Sequence, residues 1–294
     1  MREVRRSGHK TAIQGLAITV AAVALTAVSA VTAAAVTAPA SAPASLIFAV
    51  THVPTSATNA VGTGSGQVVD RPRAAPGTLL TADGKPEMLY IGAEYCPYCG
   101  AERWSMIVAL SRFGRFSGLS TIRSSATDAY PYTPTWTFYG SSFTSKYVTF
   151  VPVEMYTNVA DPSTGGYTTL QKLTPAQNAL FAKWDAPPYV TSMMYDESYP
   201  FIDFGNKYIT AGASYNPGVL SGLSWTQIAA DLSKPHTKVA EAVDGTANYL
   251  TAALCKLTRN QPAAACTATI RSLEPSLSSR HLCRWAGQDQ PRAG

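Results

Sequence analysis

The chain has 294 residues, of which 46% are hydrophobic and 14% are charged. Its mean hydropathy of 0.00 is too polar for a protein with several membrane spans, which excludes a polytopic transporter. The net charge is +5, and residues 1–10 contribute +3 of it. The rest of the chain is close to neutral, so the charge predicts no nucleic-acid partner.

The N-terminal segment predicts export from the cytoplasm. Residues 11–36 contain no charged residue and no proline, and as a helix they would span about 39 Å, more than the ~30 Å hydrocarbon core of a bilayer. Basic residues lie within 1–10 and the next charged residue after the segment is Asp70, which predicts a transmembrane anchor with a cytoplasmic N-terminus. A cleaved secretory signal that ends at the small residues 40–42 is the alternative, and it predicts the same export.

Two further stretches have the composition of flexible chain. Residues 37–75 are rich in Ala, Pro, Thr, Ser and Gly, which predicts a flexible linker because such a composition buries too little apolar surface. The apolar run 46–50 interrupts it and is either part of a passive spacer or a contact with the domain or the membrane. Residues 275–294 are predicted to be a polar tail.

A strand that leads into a C-x-x-C motif is the candidate catalytic site. Residues 88–93 (MLYIGA) are typical of a buried strand, and apolar residues at helical spacing follow the motif Cys96-Pro97-Tyr98-Cys99. The free N–H groups and the dipole of a helix N-terminus would stabilise a thiolate at Cys96, and Pro97 suits the first helical position. Cys99, one turn later, would resolve a mixed disulfide formed by Cys96.

Three other roles for this motif have weaker support. A structural zinc site needs two more ligands, and Cys255 and Cys266 do not have the spacing of a second zinc knuckle. Haem attachment requires histidine where Gly100 stands. A structural disulfide is the third alternative, since exported domains often contain one. The strand-then-helix context favours a redox site without a metal or a dissociable cofactor.

A proline, a hairpin and a helix follow later in the chain. Tyr199 and Pro200 precede two strand-like runs joined by Gly205-Asn206, which predicts a two-residue hairpin loop with a type II′ turn. Ser224, with glutamine three residues later, forms a capping box that opens a helix.

These two segments resemble the thioredoxin superfamily, through CPYC after a strand and through YPFIDFGNKYI as the second half. The resemblance implies an α/β, thioredoxin-like fold in which Pro200 is a cis-proline that faces the dithiol and Tyr199 contacts the substrate backbone. Pro97 and Tyr98, between the cysteines, are further candidate substrate-binding residues.

The segments GAEYCPYCGAERW, TFYGSSFTSKYVTF and CKLTRNQPAAAC are similar to a prokaryotic family, domain-of-unknown-function family 929. This resemblance covers roughly residues 75–270 and implies a fold but no particular substrate.

The domain is expected over residues 76–274, with an insertion at about 115–198 and helices at its C-terminal end. The insertion has mixed helix and strand patterns, and it either shapes a substrate surface or enlarges the core. Cys255 and Cys266 bracket the junction of two predicted helices, and a structural disulfide there would add about 2 to 3 kcal/mol in the chain-entropy model. Cys283 is then left single in the polar tail.

Two charged residues flank the motif. Glu94 and Arg103 are expected either to tune the Cys96 thiolate or, as the simpler interpretation, to be solvated or paired surface groups. A carboxylate at Glu94 would oppose the thiolate.

The sequence therefore predicts an extracytoplasmic, membrane-tethered thiol–disulfide oxidoreductase, with Cys96 as nucleophile and Cys99 as resolving thiol. Its predicted partners are exported proteins that contain cysteine, together with a redox partner. The alternative is a non-catalytic thioredoxin-like binding or scaffold domain whose Cys96–Cys99 bridge is structural.

Overall fold

The computed structural model describes residues 38–190 and 198–278. The predicted membrane segment, the basic residues before it and Cys283 lie outside the described residues, and so do residues 191–197. No helix within the described ranges is long and apolar enough to cross a membrane.

The described part of the chain is a mixed α/β structure with seven α-helices: α1 (Ala44–Thr51), α2 (Thr55–Val61), α3 (Pro97–Ser111), α4 (Pro175–Trp184), α5 (Trp225–Asp231), α6 (Lys238–Leu257) and α7 (Ala268–Leu273). Its strands are β1 (Ala40–Ser41), β2 (Arg73–Ala74), β3 (Thr81–Ala82), β4 (Lys85–Gly92), β5 (Gly114–Ser117), β6 (Ser120–Arg123), β7 (Pro134–Thr137), β8 (Ser142–Ser145), β9 (Thr149–Glu154), β10 (Tyr156–Asp161), β11 (Gly166–Thr169), β12 (Phe201–Phe204) and β13 (Tyr208–Ala211).

The central sheet is built around β4, which pairs in parallel with β9 on one side and antiparallel with β12 on the other. β13 continues the sheet beyond β12, β2 pairs with β13, and β3 pairs with the start of β4. Helices cover both faces, which explains the uninterrupted apolar run of β4. Met88 and Tyr90 pack in the core with α3 and α6, whereas Leu89 and Ile91 pack in a second core with α4.

The hairpin predicted after Pro200 is confirmed, with a different turn. Gly205 and Asn206 have φ angles of 60° and 58°, and positive φ at both positions is the pattern of a type I′ rather than a type II′ turn. Asparagine tolerates this left-handed conformation, and its backbone N–H donates to Asp203 Oδ1 at 2.5 Å. Phe204 and Tyr208 are the last paired residues of the two strands, so the loop between them has three residues rather than the two that were predicted.

The structure corrects the flexible linker expected over residues 37–75. α1 packs against α3 and α5, with Leu46 and Val50 in the main core, and α2 packs against α6. The Asn248 side chain of α6 donates hydrogen bonds to the carbonyl groups of Thr58 and Gly62, at the C-terminal end of α2. The prediction was wrong here because the average composition of residues 37–75 hides the short apolar run of α1, whose Leu46 and Val50 pack into the core.

The expected insertion contains both core and surface elements. β9 lies inside the range 115–198 and is nevertheless part of the central sheet, next to β4. β10 and β11 form a separate hairpin, and β6 pairs with β7 on one side and with β1 on the other. Near the C-terminus, the predicted Cys255–Cys266 disulfide is present and buried.

Candidate functional site

The site lies where β4 ends and α3 begins. Cys96 is the N-cap residue of α3, and its sulfur accepts a hydrogen bond from the Cys99 backbone N–H at 3.3 Å. Pro97 occupies the first turn, where its missing N–H leaves no bond unmade. Both cysteines are free thiols; Cys96 is 6% exposed and Cys99 is fully buried.

The surroundings shift the pKa values of the two thiols in opposite directions. Burial opposes ionisation of Cys96, but the Cys99 thiol and backbone N–H both donate to it and hold its pKa below the ordinary value. Burial and the role of hydrogen-bond donor to Cys96 raise the pKa of Cys99 well above its usual range. These opposite shifts favour ionisation of Cys96 over ionisation of Cys99.

Tyr199 and Pro200 stand beside this thiol. The peptide bond between them is cis, and the Tyr199 carbonyl oxygen lies 3.9 Å from Cys96 Sγ. Strand β12 follows at once and pairs Phe201 with Ile91 of β4, which brings the two halves of the site together. The end of β4 and the start of β12 thus bring together Cys96, Cys99, Tyr199 and Pro200.

Arg103 is not the surface group that the sequence suggested. It is fully buried and donates to both carboxylate oxygens of Glu154, from Nε at 2.9 Å and from Nη2 at 2.6 Å. Nη2 also donates to the Ala93 carbonyl at 2.7 Å. Because Arg103 lies four residues after Cys99 on α3, its positive charge acts on both sulfurs and favours their thiolates.

Glu94 is also buried rather than solvated. Its Oε1 accepts a hydrogen bond from Thr137 Oγ1 at 2.6 Å, and burial raises the pKa of its carboxyl. Tyr90 lies in the same interior, with a hydroxyl group that has no hydrogen-bond partner among the described residues. Sequence reasoning missed Glu154, Thr137 and Tyr90, since no local pattern links them to the C-x-x-C motif.

Partly exposed tyrosine side chains lie beside the dithiol, four of them packed against it and two packed against those four. This tyrosine rim consists of Tyr95, Tyr98, Tyr130, Tyr156, Tyr167 and Tyr199. Half of the rim comes from the expected insertion, so that part of the chain does shape the surface beside the dithiol. Of these residues only Tyr98 and Tyr199 were candidates from the sequence.

Metal ligands are not grouped in this structure. Within residues 38–190 and 198–278, no cluster of three or more His, Cys, Asp and Glu side chains is arranged to hold a metal ion.

A family model described as a domain of unknown function (DUF929) matches residues 75–256, more than half of the chain. The chain belongs to the DUF929 family. The family match contains the whole site from β4 to Pro200, whereas α1 and α2 precede it and Cys266 follows it. No curated protein and no solved structure matches the chain significantly.

Proposed function

We propose that this DUF929 protein is a thiol–disulfide oxidoreductase with Cys96 as nucleophile and Cys99 as resolving thiol. The observation that carries the proposal is the state of Cys96, a free helix-capping thiol whose sulfur accepts hydrogen bonds from Cys99. The Tyr199 carbonyl and Pro200 adjoin it, where a substrate backbone would lie.

The proposed fold is thioredoxin-like. Its support is the arrangement of the two recognised segments: β4 leads through the C-x-x-C motif into α3 and pairs in parallel with β9. Pro200 leads into the β12–β13 hairpin, which joins the same sheet antiparallel to β4 and is followed by α5 and α6. Helix α3 packs against α6, so the two segments share one core.

The exchange proceeds in two steps. In the reductive direction, the Cys96 thiolate attacks one sulfur of a substrate disulfide, and the other substrate sulfur leaves as a thiolate that takes a proton from water. Cys99 then loses its proton and attacks Cys96 Sγ, which forms the Cys96–Cys99 disulfide and releases the substrate as a dithiol. Two electrons have passed from the protein to the substrate, and oxidation of a substrate is the reverse.

The proposed location is outside the cytoplasm, on a membrane anchor at residues 11–36. The buried Cys255–Cys266 disulfide supports export, because such bonds persist in oxidising compartments. The proposed partners are therefore exported proteins that contain cysteine and a separate redox partner that restores the dithiol or disulfide.

Redox titration tests the function. The full-length protein is equilibrated in glutathione or dithiothreitol buffers, the thiols are alkylated, and mass spectrometry quantifies each cysteine pair. We expect the Cys96–Cys99 pair to titrate between about −270 and −120 mV, the range of thiol–disulfide oxidoreductases.

The Cys255–Cys266 pair in the same samples is the internal control, since it should remain oxidised to below about −300 mV. If the Cys96–Cys99 pair titrates together with it, the bridge is structural and the scaffold interpretation holds.

A further inference from the structure

The rings of the tyrosine rim are held in a fixed arrangement. Tyr95 and Tyr167 stack face to face with centroids 4.0 Å apart, and Tyr95 lies 6.2 Å from Tyr156. Tyr167 donates from its hydroxyl to Ser125 Oγ at 2.7 Å, and the Ser125 backbone N–H donates to the Tyr95 carbonyl at 2.8 Å. Aromatic rings that are ordered before binding lose little conformational freedom when a ligand contacts them.

The rim faces solvent around a sulfur that is itself almost buried. All six rings are partly exposed, and Tyr95, Tyr98, Tyr156 and Tyr199 pack directly against the two cysteines and Ala93. A substrate sulfur that reaches Cys96 must therefore bring its neighbouring residues onto these rings.

A partly exposed carboxylate, Asp128, lies in the loop between Ser125, which accepts the hydrogen bond from Tyr167, and Tyr130 of the rim. The Asp128 carboxylate interacts electrostatically with Cys96 and with Tyr95, and it opposes their ionisation. Arg103 carries a positive charge that also acts on Cys96, but it lies in the interior and is paired with Glu154. Tyrosine ring faces also attract cations.

We infer that the tyrosine rim binds the peptide segment around a substrate cysteine and selects segments with lysine or arginine beside that cysteine. A basic side chain is attracted electrostatically by the ring faces and by the Asp128 carboxylate, whereas an acidic side chain is repelled by both. The inference rests on the proposed function, because it concerns substrates that exchange with Cys96.

The test measures exchange at Cys96 alone. In a full-length Cys99→Ala, Cys283→Ala variant, 5,5′-dithiobis(2-nitrobenzoate) converts Cys96 to a mixed disulfide with thionitrobenzoate. A peptide thiolate then attacks Cys96 Sγ, the Cys96–thionitrobenzoate bond breaks, and the coloured thionitrobenzoate anion leaves as the peptide disulfide forms. Four end-blocked peptides are compared: Gly-Lys-Cys-Lys-Gly and its Ala, Glu and Phe counterparts.

Each rate is divided by the rate of the same peptide with glutathione thionitrobenzoate disulfide, which removes differences in the peptide thiols themselves. We expect the normalised rate of the lysine peptide to exceed that of the alanine peptide about fivefold at low salt, in line with one cation–π contact plus Asp128. The glutamate peptide should be slower than the alanine peptide, and Asp128→Asn should reduce the preference for lysine.

Matched variants assign the preference to the rim. Tyr167→Leu should lower the lysine preference, Tyr167→Phe should keep it because the ring face remains, and Tyr139→Leu should not change it, since Tyr139 is exposed and lies outside the rim. Equal normalised rates for the lysine and alanine peptides, or a preference for the phenylalanine peptide, would overturn the inference. If no peptide and no free glutathione releases thionitrobenzoate from Cys96, the proposed function itself fails.

Discussion

The pair Cys96 and Cys99 is defined by hydrogen bonds within a single helical turn. Cys96 receives one from the Cys99 backbone and one from the Cys99 thiol, and these oppose the burial that would keep it protonated. A hydrogen bond to a charged group contributes about 1.5 to 3 kcal/mol, whereas a helix dipole contributes about 0.3 to 1 kcal/mol. The backbone N–H that binds Cys96 belongs to the helix end, and the Cys99 thiol, a weaker donor, adds to its effect.

Two substitutions at Cys99 separate these effects. Serine retains a hydroxyl donor to Cys96 and alanine does not, while both keep the backbone N–H, so we expect the pKa of Cys96 to be about 1 pH unit higher in Cys99→Ala than in Cys99→Ser. Ultraviolet absorbance of the thiolate as a function of pH measures it, with Cys283→Ala in both proteins. Identical pKa values would show that the side chain at this position is not a donor to Cys96.

At the scale of elements, α1 is the part of the structure that the composition concealed. Its Leu46 is 6% exposed and Val50 is fully buried, both within the core that contains α3, whereas Phe48 is 63% exposed and stacks on His52. Helix α1 thus packs on the helix that carries the dithiol, and it belongs to the stable part of the domain.

Truncation of α1 side chains tests this packing. Leu46→Ala should lower the free energy of unfolding by about 3 kcal/mol, because it leaves a cavity in a packed core, while Phe48→Ala should cost less than about 1 kcal/mol. Urea unfolding of the full-length variants gives both values. If residues 37–75 were only a spacer, neither substitution would change the unfolding midpoint.

At the scale of the whole molecule, the described residues include buried carboxyl groups outside the dithiol site, among them Glu102, Asp203 and Asp244. Burial raises the pKa of Glu102 to about 7, although Ser214 donates two hydrogen bonds to it. Burial likewise raises the pKa of Asp203 to about 7 and of Asp244 to about 8. Such groups hold protons in the folded state at a pH where the unfolded chain has lost them.

The stability of the protein should therefore fall as the pH rises. The contribution of each raised carboxyl is complete below the unfolded pKa, near 4, and is lost as the pH rises through the folded value of about 7 or 8. Each group alone contributes on the order of 2 to 4 kcal/mol to this change, so we expect the free energy of unfolding to decrease by several kcal/mol between pH 5 and pH 8. Urea unfolding across this range measures the slope.

Asp244→Asn is the matched variant for this slope, because both Asp244 oxygens lack a hydrogen-bond partner within the part of the chain that the structure describes and the amide cannot ionise. Its unfolding free energy should vary less between pH 6 and pH 8 than that of the wild type. A slope unchanged by the substitution would mean that Asp244 is ionised throughout this range.

The sequence by itself determined the local features of this protein. The strand before Cys96, the helix after it, the capping box at Ser224, the hairpin after Pro200 and the Cys255–Cys266 disulfide agree with the structure. Each depends on residues within about a dozen positions of one another, where propensity, capping and loop closure act.

Only the tertiary structure decided what surrounds the dithiol. Arg103 pairs with Glu154 across 51 positions of sequence, and Glu94 meets Thr137 across 43. The sequence interpretation placed Glu94 and Arg103 at the surface because a charge is usually solvated unless a partner is present, and here the partners come from other strands. Tyrosines of the rim likewise converge from distant segments, since pairing of β9 with β4 and the β10–β11 hairpin bring them to one edge of the sheet.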